Sequence, residues 1–262
     1  MKRFLLLAIA FAAAAQDLGF HPLTQPVIEQ RLRSSTDNNA KREAIIKGMF
    51  EEAGCTGDAV EEQKVAHVAW PNVICTHPGS SGAKIVVGGH FDMVEKGQGV
   101  VDNWSGASLL PSLFQAMGPS KHTFVFVAFT GEERGELGSK AFVKTIDRAQ
   151  VKAMVNLDTL GLDETKVWMS RADPMLVQWL GATAASMKLP LAAVNVEQVG
   201  STDSEVFRLQ KIPAITIHSI TQDTWHILHS PLDTIKEIKM DAYYRTYNLV
   251  LGYLLVLDVK LD

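Results

Sequence analysis

Between Gly88 and Ser230 the chain sets out five residues able to bind a metal, in the order His90, Asp102, Glu133, Asp158 and His229. A further carboxylate, Glu132, stands directly beside the third. A pair of divalent cations needs a terminal histidine and a terminal carboxylate each, with one carboxylate to bridge them. These five residues supply that set. Glu132 is then left over as a general base that no metal consumes. The chemistry such a set could do is hydrolysis by a metal-activated water.

Each residue sits in a telling context. In Gly88-Gly89-His90-Phe91-Asp92 the i, i+2 spacing of an extended chain points His90 and Asp92 to one side. Asp92 can therefore accept the free ring N–H of His90 and fix its tautomer. Asp102 opens Asp102-Asn103-Trp104-Ser105-Gly106 just before a helix, a place suited either to an N-cap or to a bridging carboxylate. Glu132 and Glu133 follow a very hydrophobic run, where two adjacent acids are expensive to desolvate without a purpose. A solvated acidic turn is the alternative there. Asp158 ends another apolar run, where a turn aspartate is common. His229 is favoured over its neighbours because Ser230-Pro231 orders the loop beside it, and Asp233 is positioned to orient it. His226 and His218 read as structural or substrate-facing.

These residues need strands and turns to bring them together, and the hydrophobic pattern provides them. Residues 22–30 and 40–53 carry helical spacing, with residues 34–37 offering the N-cap of the second helix. Strand patterns occupy 63–70, 72–76 and 84–88, followed by a helix over 105–117, a strand over 123–129 and a helix over 137–146. Strands over 153–157 and 167–169 precede a helix over 174–187 that opens with proline. A short helix over 204–209, a strand over 214–218 and a long helix over 240–257 complete the chain. This alternation predicts an α/β/α sandwich around a mostly parallel, mixed sheet. In open α/β sheets functional side chains collect at the carboxyl ends of the strands. His90, Glu132, Glu133, Asp158 and His229 all follow strands in this way.

Composition narrows the classes. With 262 residues, 47% of them hydrophobic, the chain can bury a sizeable core. A net charge of -4 offers no basic footprint, so nucleic acid is not expected as a partner. Lys2 and Arg3, an apolar run over 4–12 and Ala13-Ala14-Ala15 form a secretory signal pattern. The expected organisation is therefore a signal peptide over 1–15 and one catalytic domain over 16–262, secreted or periplasmic. No later run is long enough to span a membrane. In an oxidising compartment Cys55 and Cys75 are expected to pair as a disulfide, with two separate buried thiols as the alternative.

Taken in order, Gly-Gly-His-Phe-Asp, Val-Val-Asp-Asn-Trp-Ser-Gly-Ala, Phe-Thr-Gly-Glu-Glu-Arg-Gly-Glu-Leu-Gly-Ser, Asn-Leu-Asp-Thr-Leu-Gly and His-Ser-Pro-Leu-Asp-Thr resemble the motif series of the co-catalytic zinc exopeptidases of the bacterial leucyl aminopeptidase type. The resemblance runs from about Arg31 to the C-terminus. It implies an aminopeptidase-like fold and two Zn2+ per chain, His90 and Asp158 on one, Glu133 and His229 on the other. It further implies Asp102 as the bridge, Glu132 as general acid/base, Asp92 orienting His90, and a cis Asp102–Asn103 peptide. The substrate would be the N-terminal residue of a peptide. The short chain leaves little room for an inserted lid or dimerisation domain, so a monomer is expected. Lys211 stands where the family usually has glycine and Thr202 is inserted into its Ser-Asp segment, which puts the substrate-side wall in doubt. Two other readings share the scaffold: a single-zinc glutaminyl-cyclase-like acyltransferase, and a binding module that has lost catalysis. Metal content separates the first, and hydrolysis of aminoacyl-nitroanilides the second.

Overall fold

The computed structural model describes residues 20–195 and 200–262. The signal pattern over 1–15 lies outside the described residues. Among them, eight strands form one sheet in the order β1-β2-β4-β3-β5-β8-β6-β7. The strands are β1 Val60–Gln63, β2 Asn72–His77, β3 Lys84–His90, β4 Thr123–Phe129, β5 Val151–Leu157, β6 Lys166–Val167, β7 Ala192–Ala193 and β8 Ala214–His218. The central pairs β3–β4, β3–β5 and β5–β8 are parallel, while β1–β2, β2–β4 and β6–β8 are antiparallel. The parallel centre follows from the alternation of strand and helix in the sequence, and the antiparallel pairs lie toward the edges.

The sheet is covered on both faces because its central strands are apolar on both. In β3, Ile85 and Val87 face one core cluster and Val86 the other; in β4, Phe124 and Phe126 face the first and Val125 and Val127 the second. Period-two alternation between two buried faces leaves no polar side on these strands, hence their continuous hydrophobic runs. The first layer comprises α1 Gln25–Arg33, α2 Asn39–Glu52, α4 Leu110–Ala116, α6 Pro174–Met187 and α8 Met240–Lys260, together with a single turn, α3 Ser105–Ala107. The second holds α5 Leu137–Thr145, through Phe142 and Val143, and α7 Asp203–Leu209, through Val206 and Phe207.

Departures from the sequence expectations have local causes. The strand expected over 63–70 ends at Gln63, and residues 64–71 instead form the loop joining β1 to β2. Within that loop only Val65 is fully buried and His67 takes φ +64°, which an extended strand cannot accommodate. The helix expected over 105–117 breaks into α3 and α4 because Pro111 has no N–H to give the Ala107 carbonyl. The cap of α2 is Asn38, one residue beyond the expected stretch; its side chain accepts the Lys41 N–H at 3.0 Å. At α6, Asp173 accepts the N–H groups of Met175 and Leu176 beside Pro174 at the first turn. No helix among the described residues is long and apolar enough to cross a membrane.

Cys55 and Cys75 form a disulfide, with both residues wholly buried. It ties the segment leaving α2 to β2 and closes a loop of sequence separation 20. Replacing both cysteines by alanine is expected to lower stability by about 2–5 kcal/mol. Chemical denaturation checks this, and an unchanged unfolding midpoint would contradict it.

Candidate metal centre

Four strands end at the same edge. His90 is the last residue of β3 and pairs in register with Phe129, the last of β4. After β4 the chain passes Thr130 and Gly131, which takes φ +67°, into the tight turn Glu132–Arg134. Asp158 follows β5 directly, and His229 lies in the loop beyond β8 with φ +54°. Asp102 belongs to the turn Val100–Trp104 that precedes α3.

The convergence is close. Asp102 Oδ1 lies 3.3 Å from His90 Nε2 and Asp102 Oδ2 lies 3.3 Å from His229 Nε2. The two oxygens of one carboxylate thus face one imidazole each. Glu133 Oε2 is 2.8 Å from His229 Nε2, while Asp158 Oδ1 and Glu132 Oε2 each stand 3.9 Å from His90 Nε2. Ligand atoms of His90, Asp102 and Glu133 all fall within 4.8 Å of one another.

The backbone around Asp102 is held by side chains rather than by regular structure. Asn103 Oδ1 accepts the N–H groups of Gly106 and Thr159, and its Nδ2 donates to the Leu157 carbonyl. Ser105 Oγ donates to the Val101 carbonyl and accepts the Leu160 N–H. Together these bonds lock the Asp102 turn onto the exit of β5 and bring Asp102 beside Asp158. A Cβ at Gly106 would lie 2.2 Å from the Leu157 carbonyl oxygen, so only glycine allows this approach. The Asp102–Asn103 peptide is cis, as the resemblance implies.

Two expected contacts are realised differently. The carboxylate of Asp92 accepts the N–H groups of Glu132, at 3.1 Å, and of Glu133, at 3.4 Å. The ring Nδ1 of His90 donates to the Asp92 carbonyl at 3.1 Å, with the carboxylate 3.7 Å away. Asp92 therefore orients the histidine through its backbone and pins the Glu132–Glu133 turn through its side chain. Asp233 does not reach His229. It accepts the Val101 N–H at 2.6 Å and the Asp102 N–H at 3.2 Å, so it supports the bridge candidate from beneath. The loop amides are nearer to its carboxylate, while His229 turns toward Asp102 and Glu133.

The electrostatics show what the cluster lacks. The cavity joins His90 and His229 to Asp102, Glu132, Glu133 and Asp158, and among the described residues no Lys or Arg lines it. Burial pushes the Glu132 carboxyl well above its usual range, an effect His90 opposes and Asp203, Asp158 and Asp102 reinforce. Burial acts on Asp102 in the same sense, but the hydrogen bonds from His229 and His90 outweigh it and hold that carboxyl low. The hydrogen bonds that His229 donates to Asp102 and Glu133 in turn push it up to about 10. Glu133 Oε1 is buried with no partner, as are both oxygens of Asp203. Buried carboxylates in such number call for a cation. Imidazoles and carboxylates are also the donors a divalent zinc takes, so the residues fit the ion.

A cation entering here must displace the proton on His229. Hydrogen bonds raise that histidine, so they stabilise the metal-free protein below the ordinary histidine range and fade as pH climbs toward about 10. Zinc affinity should therefore rise with pH across neutrality, with proton release on binding. Calorimetry in buffers of different ionisation enthalpy checks this, and binding without proton release would contradict it.

Beyond the cluster Trp168, Ile220, Trp225 and Leu228 give the cavity an apolar wall, interspersed with Thr159, Ser201, Thr202 and Thr216. His218 also lines the cavity, with both ring nitrogens engaged: Nε2 donates to the Val194 carbonyl and Nδ1 accepts the Ile220 N–H. Burial pushes it down to about 4, so it faces the cavity as a neutral ring. His226 is exposed on the turn Trp225–Ile227 and does not line the cavity.

The sequence profile of peptidase family M28 matches residues 72–254. This chain belongs to that family. A probable leucine aminopeptidase of Arthroderma otae is 33% identical over 239 residues, covering 80% of this chain and 62% of the relative. The crystal structure of the Legionella pneumophila LapA aminopeptidase superposes with a TM-score of 0.81 at 19% identity, covering 100% of this chain and 79% of that one. A Porphyromonas gingivalis glutaminyl cyclase superposes at 0.70 with 17% identity, covering 91% of this chain and 98% of that one. The chain spans less than two thirds of the length of the curated relatives it matches.

Proposed function

We propose that this chain is an exported zinc-dependent aminopeptidase with two zinc ions per chain, acting as a monomer on the N-terminal residue of peptides. The observation that carries the reading is the Asp102 carboxylate, whose two oxygens each face a different histidine at 3.3 Å. On this reading His90 and Asp158 hold one ion, Glu133 and His229 the other, and Asp102 serves both. Glu132 remains uncommitted beside them. Bound zinc supplies Lewis acidity, lowering the pKa of a water and polarising the scissile carbonyl.

The chain's own residues do the rest. Glu132 takes a proton from the attacking water and returns it to the departing amine. Its turn is held for that task by the Asp92 carboxylate. The acidic surplus of the cavity favours a cationic substrate N-terminus, and the wall of Trp168, Ile220, Trp225 and Leu228 favours an apolar side chain beside it. Export is supported by the buried Cys55–Cys75 disulfide, of the kind that persists in oxidising compartments, and by the charged-then-apolar start of the sequence.

Aminoacyl-nitroanilides with free and acetylated α-amines test the reading. Hydrolysis of the free forms alone is expected; equal turnover of the blocked forms would contradict it. A glutaminyl-cyclase reading has one observation in its favour, the near-complete span of the Porphyromonas gingivalis chain. The 3.3 Å approach of His90 to Asp102 favours the two-ion reading instead. Ammonia release from a glutaminyl peptide, without amino-acid release, would reverse that preference.

A further inference from the structure

Arg42 lies on the buried face of α2, one turn before Ile46 and two before Met49, and is itself wholly buried. A guanidinium on an apolar helix face is costly unless its donors are used. Here Nε donates to the Thr36 carbonyl at 2.7 Å, Nη1 to Phe91 at 2.9 Å, and Nη2 to Gln98 at 2.6 Å and Gly99 at 2.9 Å. The plane also lies over the Trp104 ring, 5.3 Å from its centroid.

The placement of these acceptors matters more than their number. Phe91 stands between His90 and Asp92 at the exit of β3. Gln98 and Gly99 lead into the turn that carries Asp102. One rigid fork therefore draws together the two ends of the 91–99 connection, which no strand pairing holds. Gly99 takes φ +55°, and a Cβ there would lie 2.9 Å from Arg42 Nη2 and 2.6 Å from Met93 Cβ, so the close approach of the fork depends on glycine. From the opposite side Asp233 accepts the N–H groups of Val101 and Asp102. The loop is thus held with its carbonyls toward a cation and its amides toward an anion.

We infer that Arg42 is a positioning residue for the metal centre: by bonding the Phe91, Gln98 and Gly99 carbonyls together it sets the distance between His90 and Asp102. The inference rests on the two-zinc reading and deepens it, since it assigns the geometry of the bridging carboxylate to a side chain remote from the cavity. Lysine at this position keeps a charge but presents its donors from a single atom, which cannot span both ends of that connection.

The test is zinc binding to the metal-free protein, measured by competition with a chromophoric chelator, for wild type, Arg42→Lys and Arg42→Met. Wild type is expected to take up two ions. R42K should remain folded by circular dichroism yet bind at least one ion about 10–100-fold more weakly, the scale of outer-shell partners. At saturating zinc its kcat should fall while KM for the nitroanilide stays unchanged. A purely structural role would lower the unfolding temperature without moving zinc affinity in the folded state. Should the Arg42 variants fail to fold, Gly99→Ala displaces the fork while leaving its charge in place, and the same weakening is expected. A wild type holding one zinc overturns the parent reading, and this inference with it. A wild type holding two, with variants that bind both as tightly, overturns the inference alone.

Discussion

Glu132→Gln is expected to keep its full zinc content and to lose about 100-fold or more in kcat, the scale of a general base. The substitution preserves shape, leaves His90, Asp102, Glu133, Asp158 and His229 untouched, and removes only the group that accepts the proton. The structure places Glu132 Oε2 3.9 Å from His90 Nε2, near the proposed ions yet outside the shortest contacts. Its neighbour Glu133 instead makes the 2.8 Å contact with His229. Two adjacent glutamates divide in this way because consecutive residues in the turn Glu132–Arg134 point in different directions, and because Asp92 fixes both amides. Steady-state kinetics with metal analysis of the same sample reads both quantities. An E132Q enzyme with wild-type turnover would refute the assignment, and one that loses its zinc would move Glu132 into the ligand set.

Asp102→Asn should act on the other half of the site. Asparagine keeps the size but withdraws the negative charge that both histidines share. Zinc affinity is expected to fall by more than the roughly 10–100-fold typical of outer-shell partners, and activity with it. A second signature appears in the metal-free protein. Hydrogen bonds to Asp102 and Glu133 push His229 up to about 10, and the Asp102 bond is the larger cause. In D102N the histidine should titrate markedly lower, which NMR of the imidazole can follow. An unmoved His229 with unchanged zinc affinity would mean that Asp102 does not join the two histidines.

Much of this arrangement was legible in the sequence because strand ends are legible. Continuous apolar runs such as Thr123–Phe129 and Ala214–His218 mark strands buried on both faces, and polar residues just past them fall at one sheet edge. That reasoning brought His90, Glu132, Glu133 and Asp158 to a common place. Asp102 needed more, since it precedes a helix rather than following a strand. It reaches the site only because Asn103 and Ser105 bond to the exit of β5. Their residue types carry a signal, a polar run ahead of a tightly packed Gly106, but no periodicity states which strand they will meet.

What the sequence withheld was the outer support. Asp233 reads as a partner for the nearest histidine, because nearness along the chain is all that a sequence displays. The folded loop turns its carboxylate to the amides of Val101 and Asp102 instead. Arg42 reads as an ordinary charged helix position until its neighbours Ile46, Met49 and Phe50 are seen to share its buried face. Its four carbonyl partners come from two separate loops, a pattern with no signature in either of them. The strand expected over 63–70 failed for a related reason: β-type residues there have almost no core to face, and the segment serves as a hairpin loop at the sheet edge.

The most direct test of the paired-cation centre is an anomalous-scattering map of zinc-loaded crystals recorded at the zinc edge. Two peaks are expected in the cavity, one against His90 and Asp158 and the other against Glu133 and His229, with the Asp102 carboxylate between them. A single peak at full zinc saturation, or a second ion held by residues elsewhere on the chain, would contradict the account.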